Sequence, residues 1–470
     1  MTDAQRADYF ESLCGELVAR IAVLEAELTR LRSDSSNSSK PPSRDGNDTR
    51  ESAKQTRQQR RVMQRQDTRK PGKQPGSEGR YLARVVNPDV TIVHTPASCS
   101  GCGKSLQDGV VVDVTNRQVF DLPPIGVHVT DHRVEHRLCG CGSTTTAAFP
   151  AVASAAACWG PGVKALAVYL SVRQHLPVAR TAEIVSDVLN TPVSTGFIVN
   201  AQTAAANRLD GFMEHIKKML GRSTVMHADE TSTRVSAATY WVHVASTPTL
   251  TWLGVHRNRG RVAITDHAIL PGFKGVLVRD GLATYDDLEA IVAQCGAHLL
   301  RHLENVGRAS QHQPWTTEMS RILLDAKTMS ETGTITSDQI RWFHAQYRSV
   351  MLEAFAACPP GPRPRGKQRH SNGWTEPDHL AHNLACRFRD QEPDVLRYLT
   401  TPNVPFTNNQ AERDLRMTKL HDKISGTFRN DQAARNWATT RSYIQTATKN
   451  RITPLQALNQ LFTTTAWLPT

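Results

Sequence analysis

The stretch STVMHADETSTRV, residues 223–235, carries the strongest structural signal in this chain. Its apolar start predicts a strand, and that strand delivers two adjacent carboxylates, Asp229 and Glu230. Because side chains alternate along a strand, Asp229 and Glu230 are expected to point to opposite faces. A single acid after an apolar run is usually a solvated strand end. The neighbouring elements therefore determine whether Asp229 belongs to a charged site.

The elements that follow this strand predict a mixed sheet. In order, they are two strands of a hairpin, a helix and a further strand: TYWVHVAS (239–246), LTWLGVHR (250–257), RVAITDHAIL (261–270) and FKGVLVRDG (273–281). The hairpin runs are rich in the aromatic and β-branched residues that favour strands. The last strand ends in Asp280. In this order the first and fourth strands can lie side by side, which would bring Asp280 next to Asp229.

A third carboxylate is expected from the helix that VPFTNNQAERDLRMTKL predicts much later in the chain. Asn408 or Asn409 can cap the start of this helix. Glu412 then lies in its first turns, and Leu415 and Leu420 are expected to face the core. The helix can hold its acid over the sheet edge that carries the two aspartates.

Together, Asp229, Asp280 and Glu412 predict a site for phosphoryl transfer. Three carboxylates on rigid elements can hold two hard cations through oxygen ligands. One cation would activate an attacking water or 3′-hydroxyl, and the other would stabilise the leaving oxygen. The predicted reaction is in-line displacement at phosphorus, in which positioning and charge neutralisation supply most of the rate enhancement.

The charge of the chain predicts a polyanionic partner. The 470 residues have a formal net charge of +12, and this length leaves room for about three domains. Residues 50–80 hold ten Lys/Arg, among them Arg60, Arg61 and Arg65, against three acids. No amphipathic apolar face accompanies these charges, so they favour nucleic acid over a membrane surface. A solvated basic linker is the alternative.

No sequence feature predicts a membrane protein. No apolar run approaches the roughly 18 residues that a membrane span needs. The start, MTDAQRADYF, lacks the basic and apolar segments of a secretory signal. We therefore expect a cytoplasmic protein with no membrane partner.

The N-terminal residues 1–33 show an apolar heptad seam, which predicts a coiled-coil helix and a homodimer. A helix packed on its own chain is the alternative. Residues 34–80 contain a serine- and proline-rich segment followed by the basic run, and neither can build a core. This segment is predicted to be a disordered basic linker that follows phosphates without selecting bases.

Residues 81–150 are predicted to form a small zinc-binding β domain. Short β-rich runs alternate with Gly and Pro. Cys99 and Cys102 form a C-x2-C pair, and Cys139 and Cys141 form a tighter C-x-C pair. Four thiolates can close a structural Zn²⁺ site. Ordinary reduced cysteines are the main alternative, and a redox pair is disfavoured because the context is not a βαβ unit.

Residues 155–218 are predicted to form a helix-turn-helix DNA-binding domain. Two helical patterns flank the turn NTPVS, and the second opens with Ser194 and Thr195. The side chains that contact bases would then lie between Ser194 and Asn200. Any packing module of three helices could show the same pattern.

The remaining residues, 220–470, are predicted to form the catalytic domain, with an α-helical insertion at about 300–400. The helical patterns in and before this insertion lie at 283–306, 315–330 and 336–357, and a loop is predicted at 358–373. Cys295 and His298 are three apart and are expected on one helix face. They would form either a structural pair or an accessory site in which His298 contacts phosphate.

The C-terminal part of this domain is rich in basic residues. They are interleaved with apolar residues and comprise Lys419, Lys423, Arg429, Arg435, Arg441 and Lys449. Lys419 and Arg429 in particular are predicted to contact DNA phosphates. A core helix with a solvated basic face is the alternative.

Several longer strings resemble the insertion-sequence-66 family of bacterial transposases. They are HADET, VLVRDGLATYDDL, CGAHLLRHLENV and NNQAERDLRMTKL…ISGTFRN, and the resemblance runs through nearly the whole chain. It implies a multidomain α+β protein with a ribonuclease-H-like core and a DDE triad at Asp229, Asp280 and Glu412. It also implies two Mg²⁺ or Mn²⁺ ions at that triad and Zn²⁺ in the cysteine domain.

The same resemblance implies a DNA transposase that cuts the inverted-repeat ends of an insertion sequence and joins them to target DNA. The implied partner is double-stranded DNA, bound by a homodimer or higher oligomer, with accessory proteins as further partners. The protein would be nucleoid-associated when bound. One alternative is a catalytically inactive DNA-binding regulator, and the other is a ribonuclease-H-like nuclease without strand transfer.

Overall fold

A computed structural model describes residues 82–123, 125–309, 314–333, 335–357 and 376–470. The chain divides into two compact units, one ending at Ile125 and the other starting at Gly126. The coiled-coil helix predicted at 1–33, the basic linker predicted at 34–80 and the loop predicted at 358–373 lie outside the described residues.

Helices dominate the second unit and surround one mixed sheet, so the protein has an α+β fold. The strands are β1 (His136–Leu138), β2 (Thr144–Thr146), β3 (Val225–Val235), β4 (Ala238–Ser246), β5 (Thr251–His256), β6 (Val276–Arg279) and β7 (Ile291–Gln294). The helices before the sheet are α1 (Pro161–Val168), which continues as a π-helix over Tyr169–Arg173, α2 (Val178–Leu189), α3 (Thr195–Asn207) and α4 (Asp210–Gly221).

The later helices comprise one between β5 and β6, those of the insertion and those of the C-terminal layer. They are α5 (Arg261–His267), α6 (Gly296–Ala309), α7 (Trp315–Thr332), α8 (Ser337–Ala357), α9 (Glu376–Asp390), α10 (Glu392–Val395), α11 (Arg397–Thr400), α12 (Asn409–Ile424), α13 (Asp431–Lys449) and α14 (Pro454–Thr463). Within the described ranges, no helix is both long and apolar enough to span a bilayer.

The cysteine region contains less strand structure than its sequence predicts. Between residues 82 and 150, leaving out residue 124, the strands are β1 and β2, which pair antiparallel. The β-rich runs at 90–94, 109–114 and 117–123, which contributed to the predicted β domain, form no strands, so that part of the prediction is wrong. A β-branched run forms a strand only where a partner strand and a packed face are present. Here Val110 and Val112 are 90% and 94% exposed.

The central sheet has the order β5-β4-β3-β6-β7. The strands β3, β4 and β5 pair antiparallel, whereas β3, β6 and β7 pair parallel. The side-by-side placement of the first and fourth strands that the sequence predicts is thus confirmed. Both β3 and β6 are interior strands of the sheet. Because they run parallel, their carboxyl ends point in the same direction.

The strand β7 corrects the sequence prediction, which placed one helical pattern over 283–306. The structure instead has a 3₁₀ turn at Ala283–Tyr285, then β7, and α6 only from Gly296. A four-residue apolar run can be helix or strand by its pattern alone. The free edge of β6 supplies the partner for β7, and this pairing is not visible in local sequence.

Two hydrophobic cores lie on the two sides of the sheet. On β6 the side chains alternate, with Leu277 in one core and Val276 and Val278 in the other. The second core contains residues of the insertion helices, including Trp315 and Tyr347. The inserted α-helical segment therefore packs on the sheet through its own apolar residues.

The first core contains the helices that precede the sheet. Residues such as Val185 in α2 and Ile198 in α3 belong to the same buried cluster as Val244 in β4 and Ile444 in α13. The predicted helices and the turn between α2 and α3 are observed, and Ser194 caps α3 by accepting a hydrogen bond from the Phe197 N–H at 3.1 Å. These helices share their core with the sheet rather than having one of their own.

Gly275 is required where β6 starts beside β3. A Cβ at this position would lie 2.7 Å from the Ser223 carbonyl oxygen and 2.8 Å from that of Thr224. Both are backbone atoms, so relief requires a backbone shift. We expect Gly275→Ala to lower the free energy of unfolding by about 1–3 kcal/mol, as overpacking does. Urea denaturation followed by circular dichroism measures this change.

The matched control for that substitution is Gly211→Ala in α4. Nothing lies within 4 Å of a Cβ built there, and alanine favours a helix over glycine by about 0.5–1 kcal/mol. The control should be neutral or stabilising. Equal stability of the Gly275→Ala variant and the wild type would contradict the close approach.

Candidate active site

The register of β3 and β6 brings Asp229 and Asp280 together. The parallel pairing runs from Val225 with Val276 to His227 with Val278. The same register, extended by two residues, sets Asp229 opposite Asp280. Asp229 lies inside β3 rather than at its end, because β3 continues along β4 to Val235 after its ladder with β6 has stopped. Asp229 therefore lies just beyond the end of the parallel ladder between β3 and β6.

Burial and neighbouring carboxylates act on Asp229. Burial raises the pKa of its carboxyl well above the ordinary value, and the carboxylates of Glu230, Asp280 and Glu412 raise it further. Its own hydrogen bond comes from the Glu230 backbone N–H at 2.8 Å. In the part of the chain that the structure describes, no lysine or arginine forms an ion pair with Asp229 or Asp280. Among the described residues, the two aspartates therefore have no direct cationic partner.

Glu412 joins this cluster from the first turn of α12, which packs against β3 and β4. Its Oε1 atom is buried and accepts no hydrogen bond from the described residues. Leu415 is buried as predicted, but Leu420 is exposed, so that part of the prediction is wrong. The face of α12 that packs on the sheet continues through Thr418 and His421 instead.

Asn408 fastens the start of α12 to the sheet. It occupies the N-cap position, but its side chain does not cap the helix, contrary to prediction. Instead its Nδ2 donates to the Ala228 carbonyl at 2.8 Å, and its Oδ1 lies 2.9 Å from His227 Nδ1. Its backbone N–H donates to the Cys295 sulfur at 3.2 Å. The residue next to Asp229 is therefore linked to the helix that carries Glu412.

Glu230 points away from this cluster, as strand alternation predicts, and has a structural role. The Tyr285 hydroxyl donates to its Oε2 at 2.6 Å, and Arg259 Nε donates to its Oε1 at 2.8 Å. Burial raises the pKa of Glu230, whereas these two partners lower it. The contacts tie β3 to the loops that follow β5 and β6.

Arg279 shapes the loop that carries Asp280. Its fully buried guanidinium donates to the Asp280 carbonyl at 3.0 Å and to the Leu282 carbonyl at 3.1 Å. It also pairs with the Asp286 carboxylate. The Leu282 N–H in turn donates to Asp280 Oδ1 at 3.1 Å. This network fixes the direction of the Asp280 side chain.

A histidine and an arginine from the insertion line the other side of the acids. His298 Nδ1 and Arg301 Nη2 are each 3.9 Å from Glu412 Oε1. Burial lowers the pKa of His298, and Arg301 lowers it further. His298 thus lies beside the predicted triad, as its proposed accessory role requires. Cys295 precedes α6 rather than lying on its face.

Arg387 of α9 also reaches this side of the site. Its guanidinium occupies the space left by the missing side chain of Gly281. It donates to Gln294 at 3.0 Å and to Gln391 at 3.2 Å. Burial lowers the pKa of Arg387, while Asp280 acts in the opposite direction. The insertion therefore contributes a charge that offsets part of the acidic cluster.

The residues predicted to contact DNA have different surroundings. Ser194, Thr195 and Asn200 are exposed at the start of α3, and Arg429 is exposed. Lys419 is engaged instead, because its ammonium donates to the backbone carbonyl and hydroxyl of Ser232. Arg60, Arg61 and Arg65 lie outside the described residues.

Two C-terminal basic residues that the sequence suggested for phosphate contacts are buried. Arg441 is fully buried and donates to the carbonyls of Val172 and Arg173 at 3.3 and 3.1 Å. Lys449 pairs with Asp414 at 2.8 Å. The phosphate prediction is wrong for these two residues, because both side chains are buried and make their contacts inside the protein.

The four cysteines of the predicted zinc site lie in two local turns, the first holding Cys99 and Cys102 and the second holding Cys139 and Cys141. The backbone N–H groups of Cys102 and Gly101 lower the pKa of Cys99. Hydrogen bonds from Ser143 lower the pKa of Cys141 to about 7. Such N–H contacts favour thiolates, the form that binds metal. The first turn belongs to one unit and the second to the other, so the four-cysteine site remains a prediction.

Sequence reasoning missed several residues around the acids. Arg301 had a signal, because it lies one helical turn after His298. Arg279 directly precedes Asp280 and could have been suspected as its support. Arg387 had no comparable signal, and Asn408 was predicted only as a helix cap, since the contacts of both residues cross the whole catalytic region.

The fold and the site define an α+β protein with a carboxylate cluster at a sheet edge, flanked by histidine and arginine. The family model described as Transposase IS66 family matches residues 156–436, which is more than half of the chain and includes all three acids. The chain belongs to this family. No curated protein matches the chain. Family membership supports a transposase-type function, DNA as the partner and the use of divalent metal.

Proposed function

We propose that this protein is a DNA transposase that binds the inverted-repeat ends of an insertion sequence and catalyses metal-dependent cleavage and strand transfer. The observation that carries the proposal is the register that aligns Asp229 with Asp280, with Glu412 acting electrostatically on Asp229. Three carboxylates from distant parts of the chain would serve as its catalytic DDE triad.

The strand order supports a ribonuclease-H-like core. Three antiparallel strands are followed by β6, which pairs parallel with β3, and by β7, which pairs parallel with β6. Asp229 on the central strand and Asp280 after the adjacent parallel strand are where such a core would present two acids. The insertion between Asp280 and Glu412 then serves as a platform beside the site.

The donor set fits hard divalent cations. Asp229, Asp280 and Glu412 would hold Mg²⁺ or Mn²⁺, which prefer oxygen ligands. An orphaned buried oxygen on Glu412 and the raised pKa of Asp229 both indicate that positive charge is needed here. Two such ions would activate the attacking water or 3′-hydroxyl and offset the charge on the leaving oxygen.

The side chains around the triad have a second task, which is to bind and orient the phosphodiester. Arg301 and Arg387 approach from the insertion side and can contact non-bridging oxygens. His298 lies in the same group and can donate a hydrogen bond to phosphate. Arg279 keeps the Asp280 loop in place. Together these groups would fix the scissile phosphate in line with the attacking oxygen.

Contacts with DNA outside the active site would come from two regions. The exposed start of α3, with Ser194, Thr195 and Asn200, can approach base edges in a groove. The basic segment at residues 50–80 would follow the backbone without reading sequence. A homodimer or higher oligomer would pair the two element ends. Accessory proteins would be further partners of this complex.

A joining assay tests the proposal. The DNA that flanks the coding region supplies the labelled duplex ends, and a supercoiled plasmid supplies the target. With Mg²⁺, the full chain should nick the labelled ends and attach them to the plasmid, whereas ends with scrambled repeats should not react. Cleavage without joined product would indicate a nuclease. Specific binding without any cleavage would indicate an inactive regulator, and either result contradicts the proposal.

Asn408→Ala should lower the cleavage rate by about 10–100-fold, the usual effect of losing a residue that orients a metal ligand. The amide supplies the two side-chain hydrogen bonds that tie the start of α12 to His227 and Ala228. The Mg²⁺ concentration for half-maximal rate should rise, and a titration of rate against Mg²⁺ measures it. The exposed neighbour Asn409 supplies the control, since Asn409→Ala should leave that concentration unchanged. An unchanged Mg²⁺ requirement in Asn408→Ala would show that the amide does not position Glu412.

A further inference from the structure

Three ligand groups of different chemistry meet beside the proposed catalytic cluster. The Cys295 sulfur, a His298 ring nitrogen and a Glu412 carboxylate oxygen all lie within 4.8 Å of one another. Cys295 follows β7, His298 lies in the first turn of α6, and Glu412 lies in the first turn of α12. The starts of α6 and α12 therefore lie close together, and the three ligand groups meet between them.

The surroundings leave this group of atoms unsatisfied. His298 Nδ1 and Glu412 Oε1 are both buried, and neither makes a hydrogen bond with any described residue. The Cys295 thiol is buried and is held by the N–H of Asn408 at 3.2 Å. Buried polar atoms without partners are uncommon, and a bound ion is one way in which proteins satisfy them.

The chemistry of the three ligands selects a thiophilic cation. Mg²⁺ takes oxygen ligands and is a poor partner for sulfur. Zn²⁺ accepts sulfur, imidazole nitrogen and carboxylate oxygen, with bonds of about 2.0–2.3 Å and a tetrahedral arrangement. Such bonds place ligand atoms roughly 3.3–3.7 Å apart, and His298 Nδ1 and Glu412 Oε1 are already 3.9 Å apart. Small side-chain rotations would close the site.

We propose that Cys295, His298 and Glu412 form a binding site for Zn²⁺ or a similar thiophilic divalent cation, with the fourth position open to water. This site differs from the four-cysteine site and from the proposed Mg²⁺ site. It shares Glu412 with the latter. If the proposed function holds, a zinc ion here withdraws Glu412 from the triad, so zinc inhibits cleavage.

Cobalt binding to the full chain tests the site without DNA or activity. Co²⁺ bound through a thiolate gives a sulfur-to-cobalt charge-transfer band, and tetrahedral coordination intensifies the visible bands. The wild type should bind one more equivalent of Co²⁺ than Cys295→Ser, and the difference spectrum between the two should show the thiolate band. Subtraction removes the signal of the other cysteines. Identical stoichiometry and spectra in the two proteins would overturn the proposal.

Two further variants distinguish specific loss of Co²⁺ binding from misfolding. His298→Gln should also lose one equivalent of Co²⁺ while keeping Cys295 intact. Cys386→Ser is the matched control, because Cys386 is another buried thiol next to a histidine, with its sulfur 3.4 Å from His382 Nε2. It should bind as much Co²⁺ as the wild type. Equal loss in Cys386→Ser would mean that cobalt reports general unfolding and that the assignment is wrong.

The inhibitory consequence is tested separately, so its failure can be told apart from failure of the proposed function. In the presence of Mg²⁺, Zn²⁺ should slow cleavage by the wild type at least tenfold and slow Cys295→Ser much less, each relative to its own zinc-free rate. Cobalt binding together with equal zinc inhibition of both proteins would retain the site and reject the regulation. Absence of cleavage by the wild type in Mg²⁺ alone would count against the transposase proposal only.

Discussion

Replacing Asp229 with asparagine should lower the rate of cleavage at an element end by about 10²–10³-fold or more, the scale seen when one preorganised electrostatic group is removed. Asparagine keeps the size and hydrogen-bond geometry of the side chain but removes its charge. The negative charges of Asp280 and Glu412 both raise the pKa of Asp229. Asp229 therefore lies between the other two acids electrostatically, and its charge should contribute most directly to holding two divalent cations. Single-turnover cleavage of a labelled duplex in Mg²⁺ measures the loss.

The binding of DNA should survive this substitution, because the exposed contacts lie elsewhere. A gel-shift titration in Ca²⁺ should give a Kd within a few-fold of the wild-type value. Asp287→Asn is the control: this acid is exposed and pairs with Arg261 at the surface, and its loss should leave the rate unchanged. Cleavage by Asp229→Asn at the wild-type rate would show that the three acids are not the catalytic triad.

Asp414→Ala should lower the free energy of unfolding by about 3–5 kcal/mol, the cost of leaving a buried charge without its partner. The Lys449 ammonium lies 2.8 Å from Asp414 Oδ2 and also donates to the carbonyls of Thr247 and Leu250. In the described parts of the chain, the ion pair of Lys449 is with this carboxylate. This pair joins α12 and α13 to the sheet, so its loss affects the whole core. Equilibrium denaturation in urea measures the change.

The surface pair of Asp431 and Arg435 provides the comparison. Both side chains are exposed on α13, and such pairs contribute about 0–1 kcal/mol, so Asp431→Ala should change stability little. The double substitution Asp414→Leu with Lys449→Met removes both buried charges and should recover most of the lost stability. Equal losses of unfolding free energy in Asp414→Ala and Asp431→Ala would show that the buried pair stabilises the fold no more than the surface pair does.

Local patterns predicted most of the elements around the acids. The hairpin of β4 and β5 and the helices α7 and α8 lie where the sequence places them, and α3 starts at Thr195, within its predicted opening at Ser194 and Thr195. Strand and helix propensities depend on neighbouring residues, which is why such signals can be read without a structure.

The failures share a different cause. Leu420 looked like a core residue, and Arg441 looked like a phosphate contact, because apolar and basic residues usually take those roles. The faces of α12 and α13 that pack against β3 and β5 determine which side chains are buried, and local sequence does not encode those faces. β7 was missed for the same reason, since its partner strand fixes its conformation.

Residue chemistry and short-range periodicity were sufficient to predict three candidate acids and the elements that position them: β3 for Asp229, β6 for Asp280 and α12 for Glu412. They could not show how Asp229 meets Asp280, since that depends on the register between β3 and β6. They also could not show that Asn408 links α12 to β3, or that Arg387 returns from the insertion to Gly281. Residues far apart in the chain meet only when the sheet and both cores pack, because that burial supplies the free energy that holds them together.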